Sequence, residues 1–259
     1  MQFRETELVY FSATGTTRKI IETIGSVLPG RKNAHNLLLK PIKDDFPITA
    51  DRLTVAAMPV YNGRLPDYCT QSLVHLKGND TPAIAVVVYG NREYDDALLE
   101  LKTILEKNGF VVGAAAFVAR HSIFPQVATD RPDTNDLALV RDFIRQCNEK
   151  LDSLSAPEEF VPFEVKGNFP YKEAKPVPMK PSSGEDCNLC GTCAQICPVG
   201  AISVTETETR TDEGLCISCG ACINACPSES RQYRGADYEK FKGKFIERFS
   251  RRKEPELFF

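Results

Sequence analysis

The chain has 259 residues, 42% of them hydrophobic, and a formal net charge of −3. This is enough apolar material for one large core or two smaller ones, and the charge gives no pull toward nucleic acid or an anionic membrane. No apolar run approaches the roughly 20 residues of a spanning helix. Polar and acidic residues in MQFRETELVYFSATG stand where a signal peptide would carry its apolar stretch, so a cytoplasmic location without a transmembrane segment is expected.

Residues 1–154 read as strands alternating with helices. Leu8 to Phe11 is a short apolar run ended by Ser12-Ala13-Thr14-Gly15, and a helix pattern from Thr16 to Leu28 stops at Pro29-Gly30. Further strands are expected at His35 to Leu39, Leu53 to Met58, Ala83 to Tyr89 and Val111 to Ala119, with helices at Asp95 to Asn108 and Asp133 to about Leu154. The run AIAVVVY is apolar throughout, as a strand buried on both faces requires. Five strands alternating with helices predict an α/β fold with a parallel sheet covered on both sides. Ligands of such sheets bind at the carboxyl ends of the strands. Three strands end there in polar, glycine-bearing loops, at 12–17, 59–64 and 90–96.

Residues 155–182 read as a proline-rich linker, with Pro157, Pro162, Pro170, Pro176, Pro178 and Pro181 in or near it. Phe160, Phe163, Phe169 and Tyr171 give it the means to pack on a neighbour. An internal repeat follows. CNLCGTCAQICPVGAI from Cys187 is echoed by CISCGACINACPSES from Cys216, and the alternating stretch Ile202 to Thr209 between them suggests a strand leading to a turn. Residues 232–259 form a basic tail. Tyr238, Phe241, Phe245 and Phe249 recur there at helical spacing, as expected of an amphipathic helix docked on the protein's own surface.

Eight of the ten cysteines lie in the repeat. Each half reads C-x2-C-x2-C-x3-C-P: Cys187, Cys190, Cys193 and Cys197 with Pro198, then Cys216, Cys219, Cys222 and Cys226 with Pro227. Three closely spaced thiolates can wrap one face of a compact iron–sulfur cube, and a fourth arrives from elsewhere. Structural zinc, the alternative, usually takes two C-x2-C pairs with a longer gap. The segment 183–231 resembles the bacterial two-cluster ferredoxins, a small α+β fold. The resemblance implies one [4Fe–4S] cluster on Cys187, Cys190, Cys193 and Cys226 and a second on Cys216, Cys219, Cys222 and Cys197. Cys69 and Cys147 are expected in helices as small apolar residues.

Ser12-Ala13-Thr14-Gly15-Thr16-Thr17 sets four hydroxyls and a glycine at a helix N-terminus, where exposed amides and the helix dipole suit a phosphate. A merely capping turn has a similar composition. The loop resembles the flavodoxin phosphate loop, [ST]-x-T-G-x-T. The resemblance covers residues 5–154 and implies the five-stranded flavodoxin-like sheet of order 2-1-3-4-5, with Ser12, Thr14, Gly15, Thr16 and Thr17 holding the phosphate of FMN. It also implies that Pro59-Val60-Tyr61-Asn62-Gly63-Arg64 and Tyr89-Gly90-Asn91-Arg92-Glu93-Tyr94-Asp95-Asp96 flank the isoalloxazine, with Tyr61 and Tyr94 as stacking candidates, since the chain has no tryptophan. His121-Ser122 is a further candidate. Both halves together resemble the flavodoxin–ferredoxin fusion proteins called ferrodoxins. That resemblance implies electron transfer between FMN, two [4Fe–4S] clusters and redox partner proteins. The alternative is an FMN-dependent reductase of a small molecule, fed through the clusters.

Overall fold

The structure, a computed structural model, describes residues 3–153 and 163–258. Pro157, Phe160 and Pro162 of the linker and the end of the 133–154 helix lie outside the described residues. The chain runs through β1 (Glu5–Tyr10), α1 (Thr16–Val27), β2 (Arg31–Asn36), β3 (Phe46–Pro47), β4 (Arg52–Pro59), α2 (Asp67–Leu73), β5 (Leu76–Lys77), β6 (Thr81–Tyr89), α3 (Ala97–Lys107), β7 (Phe110–Val118) and α4 (Thr134–Ser153). It continues through β8 (Pro181–Ser183), α5 (Thr192–Gln195), β9 (Ile202–Val204), β10 (Thr209–Thr211), α6 (Ala221–Asn224), β11 (Arg231–Tyr233), α7 (Ala236–Phe249) and β12 (Glu256–Phe258).

The main sheet has the order β12-β7-β6-β4-β1-β2. Its pairings from β2 to β7 are all parallel. In parallel-strand order this is 2-1-3-4-5, the flavodoxin-like arrangement. The central strand β6 is buried along its whole length. One face of the sheet is covered by α1 and α4 through Ile20, Ile24, Val140, Phe143 and Ile144. The other is covered by α2 and α3 through Cys69, Leu73, Leu98, Leu101 and Leu105.

The structure revises two expectations and fills in two others. The second strand is the polar edge segment RKNAHN rather than His35 to Leu39. Its side chains are satisfied by buried Glu7, which accepts from Asn33 at 2.9 Å and bonds His35 at 2.6 Å. The short helix α2 holds Cys69, as expected of that residue, and its bounds are new. The last residues are not only helix: β12 pairs antiparallel with β7, setting Leu257 opposite Ala115. Finally, 163–180 is extended but closely bonded to the sheet domain. Asp96 accepts the Asn168 and Lys172 amides at 2.8 and 2.7 Å, and Phe163 stacks on Phe258.

Residues 181–233 form the small α+β part. β8 and β11 pair antiparallel at its two ends, and β9 and β10 make a hairpin between the repeats. Helix α7 then lies on the loop after β7. Phe124 stacks on Tyr238 at 5.5 Å and meets Phe245 at 4.5 Å, and the Tyr238 hydroxyl donates to the Ile123 carbonyl at 3.3 Å. The tail docks on its own chain, as its aromatic stripe suggests.

Candidate cofactor sites

The loop before α1 is built for an anion. Gly15 is the N-cap, with a φ of +85° that only glycine takes cheaply. Glycine leaves the helix without a side-chain cap from that position. The Ser12 hydroxyl accepts the Arg18 amide at 3.0 Å; the capping reading holds for that residue. Thr14, Thr16 and Thr17 line a cleft that continues along Pro59, Val60, Tyr61, Tyr89 and Gly90 to His121 and Ser122. Arg120, at the end of β7, lines this cleft and also the adjoining surface around Gly15. This cation beside the candidate phosphate loop is not marked by any motif; its only signal in the sequence is its place after the fifth strand.

Past Tyr61 the cleft widens between Asn62, Arg92 and His121 on one side and Ile217, Ser218 and the linker residues Pro176 to Met179 on the other. Ile217 and Ser218 lie between Cys216 and Cys219, so the second cysteine run forms part of the wall. Burial pushes the Tyr61 phenol well up, with Cys219, Cys69 and Tyr233 adding to the effect. Tyr61 lines the cleft and packs against the buried cluster that includes Cys219. Asn62-Gly63, with φ values of +52° and +81°, turns the chain so that Tyr61 and Arg64 exchange backbone hydrogen bonds.

His121 has its Nδ1 accepting the amides of Ile123 and Phe124, both at 3.1 Å, which leaves the ring proton on Nε2. Burial, aided by Arg92, lowers its pKa to about 4. Its ring sits where a Cβ on Gly90 would be, 2.7 Å from Cδ2, so Gly90 is small to admit His121.

Several residues expected to flank a flavin do other work. Tyr94 has no exposed surface; its hydroxyl donates to Glu256 at 2.9 Å and its ring meets Tyr89 edge-on. Tyr94 is thus an anchor for β12, buried away from any stacking position. Asn91 donates to the carbonyls of Phe249 and Arg251 at 2.7 and 2.9 Å and accepts the Lys253 amide at 3.2 Å. Asp95 pairs with Arg92 and Lys172, Asp96 holds the linker, and Arg64 grips buried Glu100 and the Lys172 carbonyl. Gly63 is required by the close approach of Asp95. The side chains of Asn91, Arg64, Tyr94, Asp95 and Asp96 fasten linker and tail to the strand ends. Linker and tail have no counterpart in the loop motifs, so the motifs alone could not show this.

The eight repeat cysteines carry no disulfides. Each C-x2-C-x2-C run folds into a tight loop whose turn residues, Leu189, Gly191, Ser218 and Gly220, have positive φ. Cys219 feels the charge of Cys222, Cys197 and Cys216, which brings the fourth cysteine of the first run to the second. Ser230 and Ser183 reach Cys187, and Ser230 and Arg231 amides reach Cys226, so these two share a neighbourhood, with Cys193 in the field of Cys187. These neighbourhoods are the ones the crossed assignment expects for Cys197 and Cys226. Amides point at the sulfurs, among them Ala201 to Cys197 at 3.3 Å. Among the described residues no three Cys, His, Asp or Glu side chains close on a single metal ion. Three thiols in one tight loop, twice, are the donor set of a cluster rather than the two C-x2-C pairs that zinc usually takes. Burial pushes the Cys219 thiol up to about 12, so iron must displace its proton on binding.

Residues 186–230 match the family described as the 4Fe-4S dicluster domain. The chain is 37% identical over 58 residues to "Polyferredoxin protein MvhB" of Methanothermus fervidus, covering 21% of this chain and 13% of that one. It is 36% identical over 59 residues to "Formate hydrogenlyase subunit 2" of Escherichia coli, covering 22% of this chain and 29% of that one. The chain thus spans less than a third of the length of either relative. Among solved structures, oxidised Flavodoxin 1 from Bacillus cereus aligns with 58% of this chain and 99% of its own at 12% identity and a TM-score of 0.43. Fusobacterium nucleatum flavodoxin bound to flavin mononucleotide aligns with 56% and 98% at 12% identity and a TM-score of 0.42. The fold assignment rests on the strand order itself. Among the described residues no helix is long and apolar enough to cross a membrane. The molecule joins a flavodoxin-like α/β sheet, by its strand order, to a segment that matches the 4Fe-4S dicluster domain.

Proposed function

We propose that the chain is an intramolecular electron relay, with FMN in the cleft at the strand ends and a [4Fe–4S] cluster on each crossed cysteine set. FMN supplies two-electron chemistry that can proceed in single steps, and each cluster supplies one-electron storage. In this reading the amides and hydroxyls of Thr14 to Thr17, with Arg120 opposite, hold the phosphate. Val60, Tyr61, Gly90 and His121 line the isoalloxazine end. Cys216, Cys219, Cys222 and Cys197 hold the inner cluster; Cys187, Cys190, Cys193 and Cys226 hold the outer one.

One observation carries the relay reading: Ile217 and Ser218, inside the second cysteine run, wall the same cleft as Tyr61 and His121. In the inner set Cys219 and Cys222 are each 7% exposed and Cys197 and Cys216 half-buried, whereas Cys190 of the outer set is exposed. Electrons therefore enter or leave at the outer cluster. Residues 182–230 hold seven Asp/Glu against one Lys/Arg, a surface suited to steering a basic redox protein.

The test is anaerobic rapid mixing of the holoprotein with a reduced protein donor, following iron–sulfur and flavin absorbance separately. Cluster bleaching should precede flavin bleaching, and Cys216→Ser should slow flavin reduction while FMN stays bound. Flavin reduction at an unaltered rate in a variant lacking the inner cluster overturns the relay.

A further inference from the structure

Arg231 is the largest of the fully buried side chains, 1% exposed. It stands on β11 opposite Ser183 of β8. Its Nη1 donates to the Ser183 hydroxyl at 3.3 Å, and its Nη2 to the Pro181 carbonyl at 2.9 Å and the Thr211 hydroxyl at 2.7 Å. Nη2 also lies 3.9 Å from Cys222 Sγ. The buried Nε has no hydrogen-bond partner.

All these oxygen acceptors are neutral. Among the described residues no carboxylate lies within ion-pair distance of Arg231, although other buried arginines have one, as Arg131 has Asp136. A guanidinium taken out of water without an anion is strongly disfavoured. Arginine nevertheless keeps its charge, so the protein's own oxygen acceptors leave the site short of negative charge. Two sulfurs border it: Cys222, 3.9 Å from Nη2, and Cys193, which packs with Cys222 in one buried cluster. They are the third cysteines of the two runs, one from each crossed set. Neutral thiols leave the imbalance standing, whereas four thiolates on an iron–sulfur core give each site a net negative charge in either redox state.

We propose that Arg231 is the shared counter-charge of both clusters, a single buried guanidinium between the two thiolate sets that raises the reduction potential of each. This rests on the two-cluster reading above. The residue is a positioning and tuning residue, acting through the field on sulfurs it borders. Its fixed positive charge favours the added electron on either cluster.

The test uses the full-length holoprotein in three forms: unaltered, Arg231→Gln and Arg231→Lys. Iron and sulfide content are measured first, then both cluster potentials by anaerobic titration followed by electron paramagnetic resonance, with the flavin potential as internal control. At full iron content, Arg231→Gln should shift both cluster potentials to more negative values, Arg231→Lys should shift them less, and the flavin should not move. Unchanged cluster potentials in a fully loaded Arg231→Gln protein overturn the proposal. If that variant does not keep its clusters, Arg231→Lys decides. Full loading with lysine supports a charge requirement, and equal cluster loss with lysine assigns Arg231 to shape alone. A wild-type protein without two clusters would instead refute the relay reading.

Discussion

Gly220, the residue after Cys219, touches Thr14 of the loop before α1: a Cβ at Gly220 would stand 3.3 Å from Thr14 Cγ2. The two halves of the chain thus meet where each presents its candidate cofactor loop. Gly220 also has a φ of +80°, costly for any residue with a Cβ. Gly220→Ala should lower stability by about 1–2 kcal/mol and slow flavin reduction through the clusters by spreading the loops. A thermal melt and the rapid-mixing experiment read both effects; an unchanged rate would show that the contact does not set the spacing.

Tyr61 and Tyr94 look alike in sequence and separate in structure. Tyr61→Ala should weaken FMN binding by roughly 2- to 13-fold, the worth of about 0.5–1.5 kcal/mol for an aromatic contact. Tyr94→Phe should leave FMN affinity untouched and cost about 1 kcal/mol of stability, because it removes only the hydrogen bond to Glu256. Equilibrium titration of the apoflavoprotein with FMN distinguishes the two, and equal losses of affinity would contradict the placement of Tyr94.

Asn91 ties the strand-end loop to the tail by three hydrogen bonds. Asn91→Ala should cost about 2–4 kcal/mol if each is worth its usual net amount, and should free the segment after α7. Limited proteolysis reports this as new cleavage between Phe249 and Glu256. A tail as resistant as in the unaltered protein would mean that β12 pairing holds it alone.

Much of the fold was readable from residue pattern because its signals are local. AIAVVVY can only be an interior strand of an α/β sheet, and the cysteine spacing carries its chemistry without reference to the rest. The polar strand RKNAHN escaped because edge strands lack apolar alternation, and its partner Glu7 lies 28 residues from His35. The pairing of Glu256–Phe258 with β7 escaped because it closes a loop across more than half the chain. The same non-locality explains the loops: Y-G-N-R-x-Y-D-D has the composition of a ligand loop, but Asn91, Tyr94 and Asp96 find their partners in the linker and tail, 72 to 162 residues away.

His121 gives stability a pH dependence of defined sign. Burial, with help from Arg92, lowers its pKa from 6.5 to about 4. Between those values the unfolded chain binds more protons than the folded one. The contribution of neutral His121 is therefore fully present above about pH 6.5, declines as pH falls, and is gone below about 4. His121→Asn keeps an acceptor for the Ile123 and Phe124 amides and should lack this slope. Thermal midpoints of both proteins across the window check it, and parallel profiles would remove His121 as the cause.

The most direct measurement is the cofactor content of the anaerobically purified protein: iron, acid-labile sulfide and flavin per chain, with the visible spectrum. About eight irons, about eight sulfides and one FMN per chain are predicted. Eight irons without flavin after FMN reconstitution would contradict the relay and leave only the dicluster half. Two metal ions per chain without sulfide would replace the clusters with structural zinc.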